Sequence, residues 1–145
     1  MNAFNRIGKV LGASLGAAAI ALAGCAMMAP SRNVNVSLSG AEQVPPVNTA
    51  ARGTGSFTVG DDRSVSGSVT ISGLAPVAAH IHTGKRGANG PVAVGMTKSS
   101  DTVWMIPAGA KFTEDQYKAF LAGETYVNFH TPAHKGGEIR SQLQP

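Results

Sequence analysis

Ala79-His80-Ile81-His82-Thr83-Gly84 is the stretch from which the rest of the chain can be read. Side chains alternate between faces along a strand, so His80 and His82 project to one side while Ala79, Ile81 and Thr83 project to the other. Tyr126-Val127-Asn128-Phe129-His130 repeats the design, with Val127 and Phe129 on an apolar face and Asn128 and His130 on a polar one. Ile81 should therefore share a core with Val127 and Phe129. His80, His82 and His130 then lie on the side away from that core, and they converge if the two strands are neighbours. His134, the last of the four histidines, follows four residues after His130 across a turn.

Outward from these two segments the same period of two recurs. Val34, Val36 and Leu38 alternate with Asn35, Ser37 and Ser39 before Gly40, the pattern of a half-buried strand. Phe57 and Val59 precede the turn Gly60-Asp61-Asp62, and Val65, Val69 and Ile71 continue beyond it, which is a hairpin signal. Pro45-Pro46 removes two backbone donors and predicts a loop or irregular edge. After the glycine-rich turn at 83–91, Val92, Val94 and Met96 predict one more strand, 103–106 a short one, and 138–143 the last. Only one helix stands out. Thr113 is a good N-cap, Gln116 completes a capping box, and Glu114 and Asp115 suit the positive helix end. Tyr117, Phe120 and Leu121 form its apolar stripe, and Gly123 stops it. Many short strands with one helix predict an all-β Greek-key sandwich, the helix covering one end.

The N-terminus reads differently. Arg6 and Lys9 precede an apolar, alanine-rich run at 10–21, and Leu22-Ala23-Gly24-Cys25 follows at once. That is the plan of a secretory signal peptide, and the run is too short for a comfortable membrane span. The segment resembles a bacterial lipoprotein signal with its lipobox. The resemblance implies that residues 1–24 are removed and that Cys25 becomes the lipid-bearing first residue, with Ala26 permitting export to the outer membrane. The alternative is an ordinary signal peptide cut nearby. Residues 25–33 then form a tether and 34–145 the domain, on the periplasmic side of the envelope and held to a membrane through Cys25. Because Cys25 is the only cysteine, an internal disulfide, a thiolate metal site and a cysteine nucleophile are all excluded from the folded part. Without Arg6 and Lys9 the formal charge falls from +4 to +2, since all 8 acidic residues lie in the remainder. Scattered basic residues without a run argue against a nucleic-acid partner.

Four motifs taken in order carry a family resemblance: Gly40-Ala41-Glu42-Gln43-Val44-Pro45-Pro46-Val47; Ala79-His80-Ile81-His82-Thr83-Gly84 with Gly87, Gly90, Pro91 and Val92; Gly123 with Tyr126-Val127-Asn128-Phe129-His130-Thr131; and Gly137-Glu138-Ile139-Arg140-Ser141-Gln142-Leu143. Together they resemble the CHRD domain, named for chordin and common in exported bacterial proteins. The resemblance implies an immunoglobulin-like or superoxide-dismutase-like β-sandwich. It says less about function. Ser141 stands where members often carry Gly, and His134 occupies a variable position.

Neutral imidazole is a strong ligand for copper and zinc, and a His-x-His strand with a third histidine from a neighbouring strand is a natural start for a site. Copper-zinc superoxide dismutase resembles this in using a His-x-His strand of a β-sandwich for its copper. His80, His82 and His130 are the expected ligands and His134 a fourth candidate. With no thiolate available, copper is the first choice of metal and zinc the second. Imidazole nitrogens within about 4 Å of one another would permit ligation to one ion. Asn128, Glu138 and Arg140 are the residues expected to orient the ligand histidines, with Glu138 and Arg140 pairing on one strand face. Met96 and Met105 read as core filling, and the turn bearing Lys85 and Arg86 as solvated. The opposing reading makes the histidines structural, bonding backbone groups in a non-catalytic interaction module. No nucleophile and base stand out, so a redox enzyme resembling superoxide dismutase rests on analogy alone.

Overall fold

The computed structural model describes residues 30–145; the expected signal peptide, Cys25 and the start of the expected tether lie outside the described residues. Nine strands form one antiparallel sheet: β1 (Ser31–Ser39), β2 (Arg52–Gly60), β3 (Val65–Ser72), β4 (Ala78–Thr83), β5 (Val92–Gly95), β6 (Thr97–Lys98), β7 (Val103–Met105), β8 (Thr125–His130) and β9 (Ile139–Leu143). Their spatial order is β5-β4-β8-β9-β1-β2-β3-β7-β6. β1 and β9 meet at a single pair, Ser39 with Arg140, so the sheet folds there into two halves. At the far end, β5 and β6 are separated only by Met96 yet stand at opposite limits of the order. That short segment crosses from one half to the other and nearly closes the sheet, which protects edges that would otherwise be exposed.

Alternation places the core between the halves. Leu38, Phe57, Val59 and Val69 from one half and Ile81, Val127, Phe129 and Ile139 from the other are fully buried. Trp104 meets Phe129 edge to face with ring centres 5.9 Å apart, a favoured aromatic geometry. The expected core of Ile81, Val127 and Phe129 forms because β4 and β8 pair directly, Ile81 opposite Val127.

The helix α1 (Glu114–Leu121) has the full capping box between Thr113 and Gln116, and Gly123 takes a positive φ of 71° just past its end. Phe120 is buried against Phe112, but Leu121 is 43% exposed. The helix is only 8 residues long, and the residue next to Phe120 faces off the packed stripe. Among the described residues no helix is long and apolar enough to cross a membrane.

Three local expectations are corrected. β1 already begins at Ser31, because β2 runs on to Gly60 and keeps residues 31–33 in the ladder. Val92 is 51% exposed rather than in the core. The register slips between Ile81, opposite Val94, and His82, opposite Val92; a bulge of one residue turns Val92 to the other face. Met105 is 43% exposed on the short β7, whereas Met96 does fill the core.

Candidate metal centre

The outer face of the β4-β8-β9 layer is polar and mostly covered. Cross-strand pairing sets His80 opposite Asn128, His82 opposite Tyr126, Asn128 opposite Arg140 and Tyr126 opposite Gln142. His82, Tyr126, Asn128, Arg140 and Gln142 are all buried, under loops that supply backbone partners. Gln142 donates to the carbonyls of Gly84 and Gly123, at 2.8 and 2.9 Å. Gln43 reaches in to donate to Asn128 Oδ1 at 2.6 Å.

His80, His82 and His130 come together on this face. One ring nitrogen from each lies within 4.8 Å of the other two, and the ring centres are 5.0 to 5.7 Å apart. The nitrogens gather more loosely than the 4 Å expectation. Around a tetrahedral ion with bonds of about 2.05 Å, ligand nitrogens stand about 3.4 Å apart, so closure requires movements of at most about 1.4 Å, within reach of small χ adjustments.

Hydrogen bonding fixes which nitrogens face inward. His82 Nδ1 lies 3.0 Å from the Gly90 carbonyl and His130 Nδ1 lies 2.9 Å from the Lys135 carbonyl. A carbonyl only accepts, so both Nδ1 atoms carry the proton and both Nε2 atoms carry a lone pair. These Nε2 atoms, together with His80 Nδ1, are buried and have no hydrogen-bond partner. Buried polar atoms are normally satisfied, and converging lone pairs repel unless a cation lies between them. Burial, with the nearby His130 adding to it, pushes the His80 imidazole below its ordinary value. Burial likewise lowers His82, against the opposing Gly90 carbonyl. Neutral imidazoles at neutral pH are the ligating form, and an ordering bond on the second ring nitrogen is the usual support of a metal-bound histidine.

The remaining residues take other places. His134 is not among the gathered ligands; its backbone N–H and carbonyl close the turn with Thr131 and Gly137. Glu138 does not pair with Arg140. Its carboxylate accepts from the hydroxyls of Thr49 and Thr131, both at 2.8 Å, because the Arg140 guanidinium is drawn the other way, over the Tyr126 ring at 3.4 Å. Asn128 makes no side-chain hydrogen bond to an imidazole. Its amide donates to the Gly136 carbonyl at 3.1 Å and so ties down the loop whose Lys135 carbonyl orients His130. Lys85 and Arg86 sit in exposed ion pairs with Glu124 and Glu42, in keeping with a solvated turn. Sequence reasoning missed Tyr126, whose ring stacks on His82 at 4.9 Å with 4° between the planes, and Gly90, which serves both rings. Position did signal Tyr126, since it falls on the His130 face of its strand.

Residues 34–143 match the CHRD domain family model. Neither the curated proteins nor the solved structures give a significant match to the chain. With a match over most of its length and the β-sandwich-like architecture of that family, the chain belongs to the CHRD domain family.

Proposed function

We propose that this CHRD domain binds one metal ion, copper in first place and zinc in second, through His80, His82 and His130. The observation that carries this reading is the gathering of three imidazoles, one ring nitrogen of each within 4.8 Å of the others, with one buried, unpartnered nitrogen on every ring. A donor set of neutral imidazoles with no thiolate suits Cu(II) or Zn(II) and does not suit hard cations such as Mg(II) or Ca(II). The signal-like segment at 1–24 and Cys25 support a lipid-anchored place on the periplasmic side of the envelope, at the outer membrane. The protein then handles metal in the periplasm, or serves a simple redox step there.

A second reading has its own support. Two of the three imidazoles bond loop carbonyls, which would brace the outer face of a non-catalytic interaction module, and membership of the CHRD family suits such a module. Calorimetric titration with Cu(II) and Zn(II) separates the two. The metal reading predicts one ion per chain in the wild type and loss of that binding in both His80→Ala and His130→Ala. Wild-type binding no tighter than that of the variants would overturn it.

A further inference from the structure

Arg140 is 1% exposed, yet among the described residues it has no carboxylate within ion-pairing distance. An isolated buried cation is costly unless its donors are well occupied. Here three of the four acceptors come from one loop. Nη1 donates to the Ala88 carbonyl at 2.9 Å and to Asn89 Oδ1 at 3.4 Å, and Nη2 donates to the Lys85 carbonyl at 3.1 Å and to Gln142 Oε1 at 3.2 Å. The guanidinium carbon also lies 3.4 Å from the centre of the Tyr126 ring. Since β8 runs between β4 and β9, the Tyr126 ring stands between Arg140 on one side and His82 on the other. Gly90, the next residue after Asn89, meets both Tyr126 and His82. Its N–H donates to the Tyr126 hydroxyl at 3.0 Å, and its carbonyl accepts from His82 Nδ1 at 3.0 Å.

We propose that Arg140 is a positioning residue for the histidine site: by clamping the loop 85–89 and the Tyr126 ring, it places the Gly90 carbonyl so that His82 keeps its proton on Nδ1 and turns Nε2 toward His80 and His130. The role in metal affinity rests on the metal-binding reading above; the role in fixing the tautomer does not. Arg140 donates no hydrogen bond to any of the imidazoles that would ligate. Its effect passes through Gly90 and Tyr126, and a planar, multidentate guanidinium is needed because four acceptors in different directions must be held at once.

The test uses imidazole 15N chemical shifts of the full-length, metal-free chain, followed by Zn(II) titration of the same samples. Wild type should show His82 protonated on Nδ1. Arg140→Lys, which keeps the charge but not the fork, and Tyr126→Phe, which removes only the hydroxyl that receives Gly90, should each show a mixture of tautomers at His82. In both, Zn(II) affinity should fall about 10- to 100-fold, as when ligand-orienting partners are lost. Tyr126→Phe keeps the ring and its stacking, so it stays informative where a change at Arg140 impairs folding. The proposal is overturned if His82 stays wholly Nδ1-protonated in the folded variants, or if wild type itself is protonated on Nε2. Failure of Zn(II) to bind wild type while the His82 tautomer responds as described would remove the metal function and leave the positioning role standing.

Discussion

Gly90→Ala is the substitution whose outcome the structure determines most sharply. A Cβ built at Gly90 would stand 1.7 Å from the Thr83 carbonyl oxygen, against a lower limit near 3.0 Å for such contacts. The obstacle is backbone at the end of β4 and cannot swing aside, so loop and strand must part by about 1.3 Å, the difference of those two distances. Two bonds cross that gap, His82 Nδ1–H to the Gly90 carbonyl and Gly90 N–H to the Tyr126 hydroxyl, both at 3.0 Å. A 3.0 Å bond stretched by that amount no longer counts as one. Each buried donor left without its acceptor costs about 1–3 kcal/mol, or roughly 2–6 kcal/mol together. For a domain of this size that lowers the melting temperature by roughly 8–24 °C. Thermal unfolding followed by circular dichroism is the assay, with Gly95→Ala as control. A Cβ at Gly95 meets nothing within 4 Å, so that variant should be neutral or stabilised by less than about 1 kcal/mol. A Gly90→Ala protein melting no lower than Gly95→Ala would refute the reasoning about loop placement.

Other consequences are simpler to measure. The folded-state values of His80 and His82 are lowered, so as pH falls the unfolded chain takes up protons first. The metal-free protein should lose stability as pH drops through about 6.5 toward 5, and a urea midpoint that stays flat or rises over that range would contradict the sign. The same lowering keeps His80 and His82 neutral further into acid, so metal should be retained to lower pH than by an unperturbed histidine site, as pH titration of the loaded protein can show. Thr113→Ala removes the side-chain acceptor of Gln116 N–H, at 3.2 Å, and should cost about 0.5–2 kcal/mol in urea unfolding without changing metal stoichiometry.

The sequence was most informative where structure depends on alternation alone. Ile81, Val127 and Phe129 point inward, and that fixes the outward direction of His80, His82 and His130 as soon as β4 and β8 pair. Period two says nothing of what lies above the outward face. Tyr126 reads as an ordinary strand residue and Arg140 as a partner of Glu138, yet both are buried, because loops distant in sequence fold over them. Glu138 was expected to meet Arg140 from spacing alone, but Thr49 lies 89 positions away in the chain and reaches it first. Val92 shows the limit on the strands themselves. One extra residue in β5 reverses the face of everything beyond it, and no local residue marks the slip. His134 lies in a turn, where neither period applies, and its place is set by backbone bonds to Thr131 and Gly137.

The central claim, that His80, His82 and His130 close on a single ion, is tested most directly by X-ray absorption at the zinc edge of the Zn(II)-loaded chain. The account predicts three imidazole nitrogens at about 2.0–2.1 Å, with the outer-shell scattering that marks imidazole rings. A first shell made of oxygen, or an imidazole count unchanged in His130→Ala, would contradict it.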